Sequence, residues 1–349
     1  MADTRPRVWV SQPLFDDVIE QLGQHVALEV THEVTRYTPD LLAARLAQVD
    51  GALVTLNERI GAAEIATAPR LRAIANVGVG YNNLDIDALS AAGILASNTP
   101  DVLTETTADL GFALLMATAR RITESERWLR DGQWGQWSFQ TMLGADIHGS
   151  TLGILGMGRI GQGIARRGAL GFGMRVLYHN RSRLPEATEA EVGARYVDLD
   201  TLLAQADHLV LVLPYSASSH HIIDAAALAR MKPTATLVNI ARGGIVDELA
   251  LADALAHGRL AAAGLDVFEG EPTVRPELLA LRNIVLTPHI GSASQATRRG
   301  MVQLAVDNLL AALDIGPAAG RPPSAINADA VAAVKAGGAT VAVKKDAKR

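Results

Sequence analysis

The chain has 349 residues, 49% of them hydrophobic and 20% charged, which is globular composition at about twice the length of an average domain. Its 32 Lys and Arg against 37 Asp and Glu give a formal net charge of -5, so no basic face is expected and nucleic acid is excluded as a partner. There is no cysteine, which excludes disulfides, a thiolate zinc site and a cysteine nucleophile together and fits a reducing cytoplasm.

The opening residues carry Asp3, Arg5, Pro6 and Arg7 ahead of a short apolar stretch, so they read neither as a secretory leader nor as a membrane span. Short β-branched runs at 8–10, 27–30, 52–54, 73–77 and 94–96 read as buried strands separated by helices, an α/β pattern. Thr38-Pro39-Asp40 opens one helix, Asp85 caps another, and Gly93 stops it. From 102 to 130 the apolar spacing turns helical and predicts one long helix, read as a spacer between domains. Residues 133–149 hold Trp134, Trp137 and Phe139 among glycines and predict a loop, whose two tryptophans either line a partner subunit's site or pack the loop, packing being the preferred reading.

A second α/β series follows, with strands expected near 152–155, 175–178, 208–213, 236–240, 262–266 and 284–286, and a helix over 294–313. The first hundred residues are already an α/β unit, so the chain is expected to return to it. The expectation is two doubly wound parallel-sheet domains, a Rossmann-type cofactor domain (103–292) inserted into a flavodoxin-like domain (1–102 and 293–327) that binds substrate. The Ala, Gly, Val and Lys stretch 328–349 lacks a core pattern and predicts a frayed tail.

The run 152–155 leads directly into Gly156-Met157-Gly158-Arg159-Ile160-Gly161 and then into a helix, the strand, turn and helix context that a dinucleotide fingerprint needs. Gly156 suits the tight turn, Gly158 a close approach to pyrophosphate, and Gly161 the packing of helix on strand, while Arg159 adds positive charge. At the end of the next strand an acid would bind a ribose and repel a 2'-phosphate. Here stand Asn180, Arg181, Ser182 and Arg183, two guanidinium forks and two neutral donors, which favour NADPH while leaving NADH open.

Three further strand ends carry Arg242, Glu271 and His289. Arg242 presents a planar fork for a carboxylate or keto oxygen; Glu271 can accept from one nitrogen of His289, leaving the other to protonate a carbonyl. Alone, each has a plainer reading: a strand-end cation, a surface acid, a satisfied histidine. Together, after strands of one sheet that also carries the fingerprint, they point to catalysis.

The segments 155–161, 242–248, 262–269 and 288–292 resemble the D-isomer-specific 2-hydroxyacid dehydrogenases, over roughly 8–327. Within them the segment 101–109 and the strand end at 180–183 look most like glyoxylate/hydroxypyruvate reductases and bacterial 2-ketogluconate reductases. The resemblance implies reduction of a small 2-keto acid to the D-2-hydroxy acid, with Arg242 and His289 binding substrate, His289 donating the proton and Glu271 orienting His289. It implies substrate-carboxylate binding by the amides of Val77 and Gly78, and cofactor contacts at Thr107, Leu213, Pro214, Ile240, Ala241 and Asp266, the last with the nicotinamide carboxamide. It also implies a homodimer through the helix after Val102. Corepressors resembling this family are the alternative from another class, and phosphoglycerate or phosphite dehydrogenases the alternatives among enzymes. The missing NAD-type acid weighs against phosphoglycerate, and Glu271 weighs against formate dehydrogenases, which have glutamine there.

Overall fold

Apolar runs buried on both faces build one parallel sheet in each of two units, Met1–Leu103 with Ser294–Arg349, and Thr104–Ala293. The computed structural model describes residues 3–336. Among them no helix is long and apolar enough to cross a membrane.

In the first unit, β1 (Arg7–Val10), β2 (Ala27–Val30), β3 (Gly51–Val54), β4 (Ala73–Asn76) and β5 (Leu95–Ser97) lie in the order β2-β1-β3-β4-β5, all parallel. That is the flavodoxin-like order, with its switch point between β1 and β3. The period of two divides the side chains. Val8 and Val10 pack with Leu22 and Leu309 on one face, and Trp9 packs with Leu46 and Leu89 on the other. Thr38 and Asp85 accept the amides of Leu41 and Ala88, as expected of helix caps, and Gly93 ends its helix at φ 72°. Ser294 caps the returning helix Gln295–Ala312, which lies on β3 and β4; a Cβ on Gly51 would stand 3.1 Å from Leu309. Asn327 then accepts the Ala96 amide at 2.8 Å and donates to the Ile94 carbonyl at 3.0 Å.

The expected tail needs correction at its start. Residues Ala328–Lys335 form a helix that packs on the helix Ile86–Ala91 and buries Val331. The part beyond 336 lies outside the described residues.

In the second unit, β6 (Thr151–Leu155), β7 (Arg175–His179), β8 (Arg195–Tyr196), β9 (His208–Leu211), β10 (Thr236–Asn239), β11 (Ala262–Leu265) and β12 (Ile284–Leu286) lie in the order β12-β11-β10-β9-β6-β7-β8. All pairs are parallel, so every carboxyl end opens on one edge, with the switch point between β6 and β9. Strand β8, two residues long, has no signal in the sequence.

The single long helix is also corrected. Thr104–Ala119 and Ile122–Arg130 are separate helices, broken where Arg121 takes a left-handed φ of 54° and pairs with Glu124. Nor is the first of them a spacer. It lies on β10 and β11, with Leu114 and Thr118 against Gly264, inside the core of the unit. The loop 133–149 carries no regular element, and its tryptophans do not pack it down: Trp134 and Trp137 are 53% and 64% exposed.

Candidate active site

The fingerprint glycines of the second unit each answer a different steric demand. Gly156 ends β6 at φ 104°, and a Cβ there would stand 2.5 Å from the Leu213 amide nitrogen. On Gly161 a Cβ would reach the Gly156 carbonyl at 2.4 Å, so helix Arg159–Arg166 packs on the strand only because no side chain intervenes. At Gly158, the N-cap of that helix, a Cβ would meet nothing within 4 Å. The open helix start, with Arg159 and Ile160 following, is a cradle into which a pyrophosphate fits.

Beyond β7, Asn180 accepts the Met157 amide at 2.6 Å and so braces the fingerprint turn. Arg181 and Ser182 are exposed. Arg183 corrects the expectation of two guanidinium forks aimed at a phosphate. Its Nε and Nη2 donate to Glu189 at 2.9 and 2.7 Å, and the Tyr178 hydroxyl donates to the same carboxylate at 2.6 Å. The Arg183 hydrogen bond, reinforced by Tyr178, holds the Glu189 carboxyl down at about 2. Burial and the bond to Glu189 push the Tyr178 phenol up to about 12.

The remaining expected cofactor positions, apart from Thr107 in the helix Thr104–Ala119, also follow strands of this sheet. Leu213 and Pro214 follow β9, with Leu213 against Gly156; Ile240 and Ala241 follow β10 and are buried. Thr107 lies against Gly291, beside the Asp266 carboxylate.

After β10, Asn239 braces the turn that carries Arg242. Its Oδ1 accepts the Ala241 amide at 3.0 Å and its Nδ2 donates to the Arg242 carbonyl at 2.9 Å. Burial depresses the Arg242 guanidinium, and the charge of Glu271 acts the other way. A cation disfavoured by burial gains most from an arriving anion.

His289 follows β12 in a left-handed conformation, φ 50°, with its amide donating to the Asp266 carbonyl at 2.9 Å. Its Nδ1 stands 2.8 Å from Glu271 Oε2, which leaves Nε2 on the outer side of the ring. Burial pushes the Glu271 carboxyl up. His289, the Phe268 amide and Arg242 together outweigh burial and leave it below the ordinary value, so Glu271 is ionised beside the imidazole.

Asp266 is 1% exposed and grips the same turn. Its Oδ1 accepts from Thr287 Oγ1 at 2.6 Å and the Ile290 amide at 2.8 Å, and its Oδ2 accepts the Gly291 amide at 2.9 Å. The support of His289 from behind was not read from the sequence. An aspartate ending an apolar strand was its signal, since a buried carboxylate needs donors.

In the first unit, the loop after β4 corrects the expected carboxylate donors. The Val77 amide donates to the Val54 carbonyl at 2.8 Å and the Gly78 amide to the Asn76 carbonyl at 2.9 Å. The amides of Val79 and Gly80 donate to no acceptor among the described residues. Asn76, buried at the strand end, fixes this turn by donating to the Gly80 carbonyl at 2.9 Å and accepting from Asn83 at 3.1 Å.

Among the described residues one group has metal-ligand composition: His220, His221 and Glu269. The two imidazoles stack at 3.8 Å with 23° between their planes, so their in-plane lone pairs do not converge on one ion.

The family model for the D-isomer specific 2-hydroxyacid dehydrogenase NAD binding domain matches residues 112–291. A glyoxylate reductase of Thermococcus onnurineus is 46% identical over 311 residues, 88% of this chain and 92% of the relative. A glyoxylate/hydroxypyruvate reductase B of Klebsiella pneumoniae is 44% identical over 311 residues, 89% of this chain and 96% of the relative. Among solved structures, an NADPH-dependent glyoxylate/hydroxypyruvate reductase of Sinorhizobium meliloti, in complex with NADP and malonate, has a TM-score of 0.81 at 35% identity, covering 93% of this chain and 98% of that one. With sequence, sheet order and strand-end residues in agreement, the chain belongs to the D-isomer specific 2-hydroxyacid dehydrogenase family.

Proposed function

We propose that the protein reduces small 2-keto acids, glyoxylate and hydroxypyruvate foremost and 2-ketogluconate as a third candidate, to D-2-hydroxy acids with NADPH in preference to NADH. The observation that carries this reading is the 2.8 Å pairing of Glu271 with His289 at the same strand edge as Arg242 and the fingerprint turn. Relatives named glyoxylate reductase and glyoxylate/hydroxypyruvate reductase B, at 46% and 44% identity, support the substrate class.

A bound reduced nicotinamide supplies a hydride to the keto carbon. The residues do the rest. Arg242 holds the carboxylate and keto oxygen through its planar fork, and the charge that grows on that oxygen as the carbonyl π pair moves onto it is offset by the same guanidinium. His289 Nε2 delivers the proton to the oxygen, and Glu271 supports the imidazolium before transfer and orients the neutral ring afterwards. Asp266 keeps the His289 turn in place. Among the described residues its Oδ2 accepts a single donor, which leaves a lone pair for the nicotinamide carboxamide.

NADPH is favoured by Arg181 and Ser182 with no acid among residues 180–183, and by the pairing of the nearby Glu189 with Arg183. A homodimer is supported by the helix Ile122–Arg130, which buries none of its residues, and by the exposed aromatics that follow it. A chain without cysteine fits the cytoplasm.

The test is loss of reduced-nicotinamide absorbance with each of the three acids against NADPH and NADH. Consumption of NADPH with at least one acid, at a higher kcat/KM than with NADH, is expected. Binding of both cofactors without turnover of any acid overturns the reading.

A further inference from the structure

Two loops of the second unit carry the reacting groups, one with Arg242 after β10 and one with Glu271 after β11, and a single buried carboxylate joins them. Glu248 opens the helix Glu248–Ala256 directly after the Arg242 turn and is 2% exposed. Its Oε1 accepts the Glu269 amide at 2.6 Å. The preceding amide, that of Phe268, donates to Glu271 Oε1 at 2.8 Å, and Glu271 Oε2 is the atom that meets His289 Nδ1. Two successive amides of one loop are thus held by two carboxylates, one from the helix Glu248–Ala256 and one from the loop itself.

The contact between the loops leaves no slack. A Cβ on Gly243 would stand 1.9 Å from the Phe268 carbonyl carbon and 2.1 Å from the Glu269 nitrogen, so the residue after Arg242 lies flat on the peptide whose amide Glu248 holds. Arg275 completes the surroundings of Glu248. Its Nε lies 3.3 Å from Glu248 Oε2 and its Nη2 3.6 Å from Glu269, which itself faces His221 at 3.4 Å. Burial raises the Glu248 carboxyl despite the Glu269 amide and Arg275. A carboxylate held in so dry a place needs a structural reason, and the loop it holds supplies one.

We propose that Glu248 is a positioning residue for the proton donor: by anchoring the Glu269 amide on the Arg242 turn, it sets the reach of Glu271 to His289. The inference rests on the reading of His289 as general acid. Without the anchor the peptide 268–269 shifts, Glu271 loses its grip on Nδ1, and the imidazolium loses its support. Charged groups facing Glu271 are His289 and Arg242, and those facing Glu248 are Arg275 and Glu269.

The test compares Glu248→Leu, which removes the acceptor, with Glu248→Gln, which keeps it, and with Glu248→Asp, which keeps the charge but withdraws it by one methylene. For Glu248→Leu the expected result is a fall in kcat for glyoxylate of about tenfold, NADPH Kd within about twofold of the parent, and an alkaline limb of the pH profile moved to lower pH. Glu248→Gln restores kcat to within about threefold and returns the limb; Glu248→Asp, the variant to read if Leu does not fold, moves the limb in the same direction as Leu. The midpoint of the His289 ring signal, followed by NMR titration and identified by its loss in His289→Gln, moves with the limb and needs no turnover. A parent that titrates at His289 but reduces no 2-keto acid defeats the functional reading alone. Folded variants whose limb and His289 midpoint stay at the parental pH overturn the positioning role, even where the melting temperature falls.

Discussion

His289 has three holds: its amide on the Asp266 carbonyl, its Nδ1 on Glu271, and the flanking amides of Ile290 and Gly291 on the Asp266 carboxylate. Replacing the imidazole leaves those backbone bonds in place while removing the proton, so His289→Gln is expected to lower kcat by about 100-fold or more while NADPH Kd stays within about twofold, measured by stopped-flow and by nucleotide fluorescence. A second residue-scale expectation concerns Glu189. Its carboxyl is held at about 2 in the fold against an ordinary 4.5, so the fold favours the ionised form. The stability this contributes is fully present above pH 4.5 and fades as pH falls through about 2. Glu189→Gln is therefore expected to melt below the parent at pH 7, with the gap narrowing on acidification below pH 4.5, as read by circular dichroism.

At the scale of elements, the helix Thr104–Ala119 lies on β11 only because Gly264 has no side chain. A Cβ there would stand 2.5 Å from Thr118 Oγ1 and 2.8 Å from Leu114. Gly264→Val overpacks this seam and is expected to destabilise the second unit by about 1–3 kcal/mol, read from denaturant midpoints, with the strand-end residues unchanged. The strands were legible in the sequence because their runs, such as 73–76 and 236–239, are buried on both faces and so read as continuous apolar segments. Two caps were legible for a local reason, since Thr38 and Asp85 each bond an amide three residues on, whereas Ser294, read as part of its helix, is the cap of it. The break at Arg121 was not, because neither glycine nor proline marks it and the left-handed turn is held by a partner, Glu124. In the site, residue types were readable while their engagements were not. Which amides of the 77–80 loop already have protein acceptors depends on a cross-strand bond to Val54, and whether Arg183 faces outward depends on Glu189.

At the scale of the whole molecule, the helix Ile122–Arg130 has no buried residue, and Trp137 and Phe139 pack edge to face on each other while Phe139 stays 85% exposed. Solvent-facing aromatics of this kind suit the surface of a second copy. The parent is expected to run as a dimer in light scattering, and Trp137→Asp with Phe139→Asp to shift it toward monomer. The insertion of Thr104–Ala293 between the two parts of the first unit has a consequence in time. On the ribosome, β1 to β5 emerge first but wait for the helix Gln295–Ala312, which covers one face of their sheet, until the whole second unit has been made. The piece synthesised first is thus completed last. Expressed alone, residues 104–293 are expected to fold and bind NADPH, whereas 1–103 lack the returning helix and are expected to stay unfolded by circular dichroism. Such a chain keeps the apolar residues of its first unit unburied throughout the making of its middle, so its yield in the cell depends on what shields them in the interval.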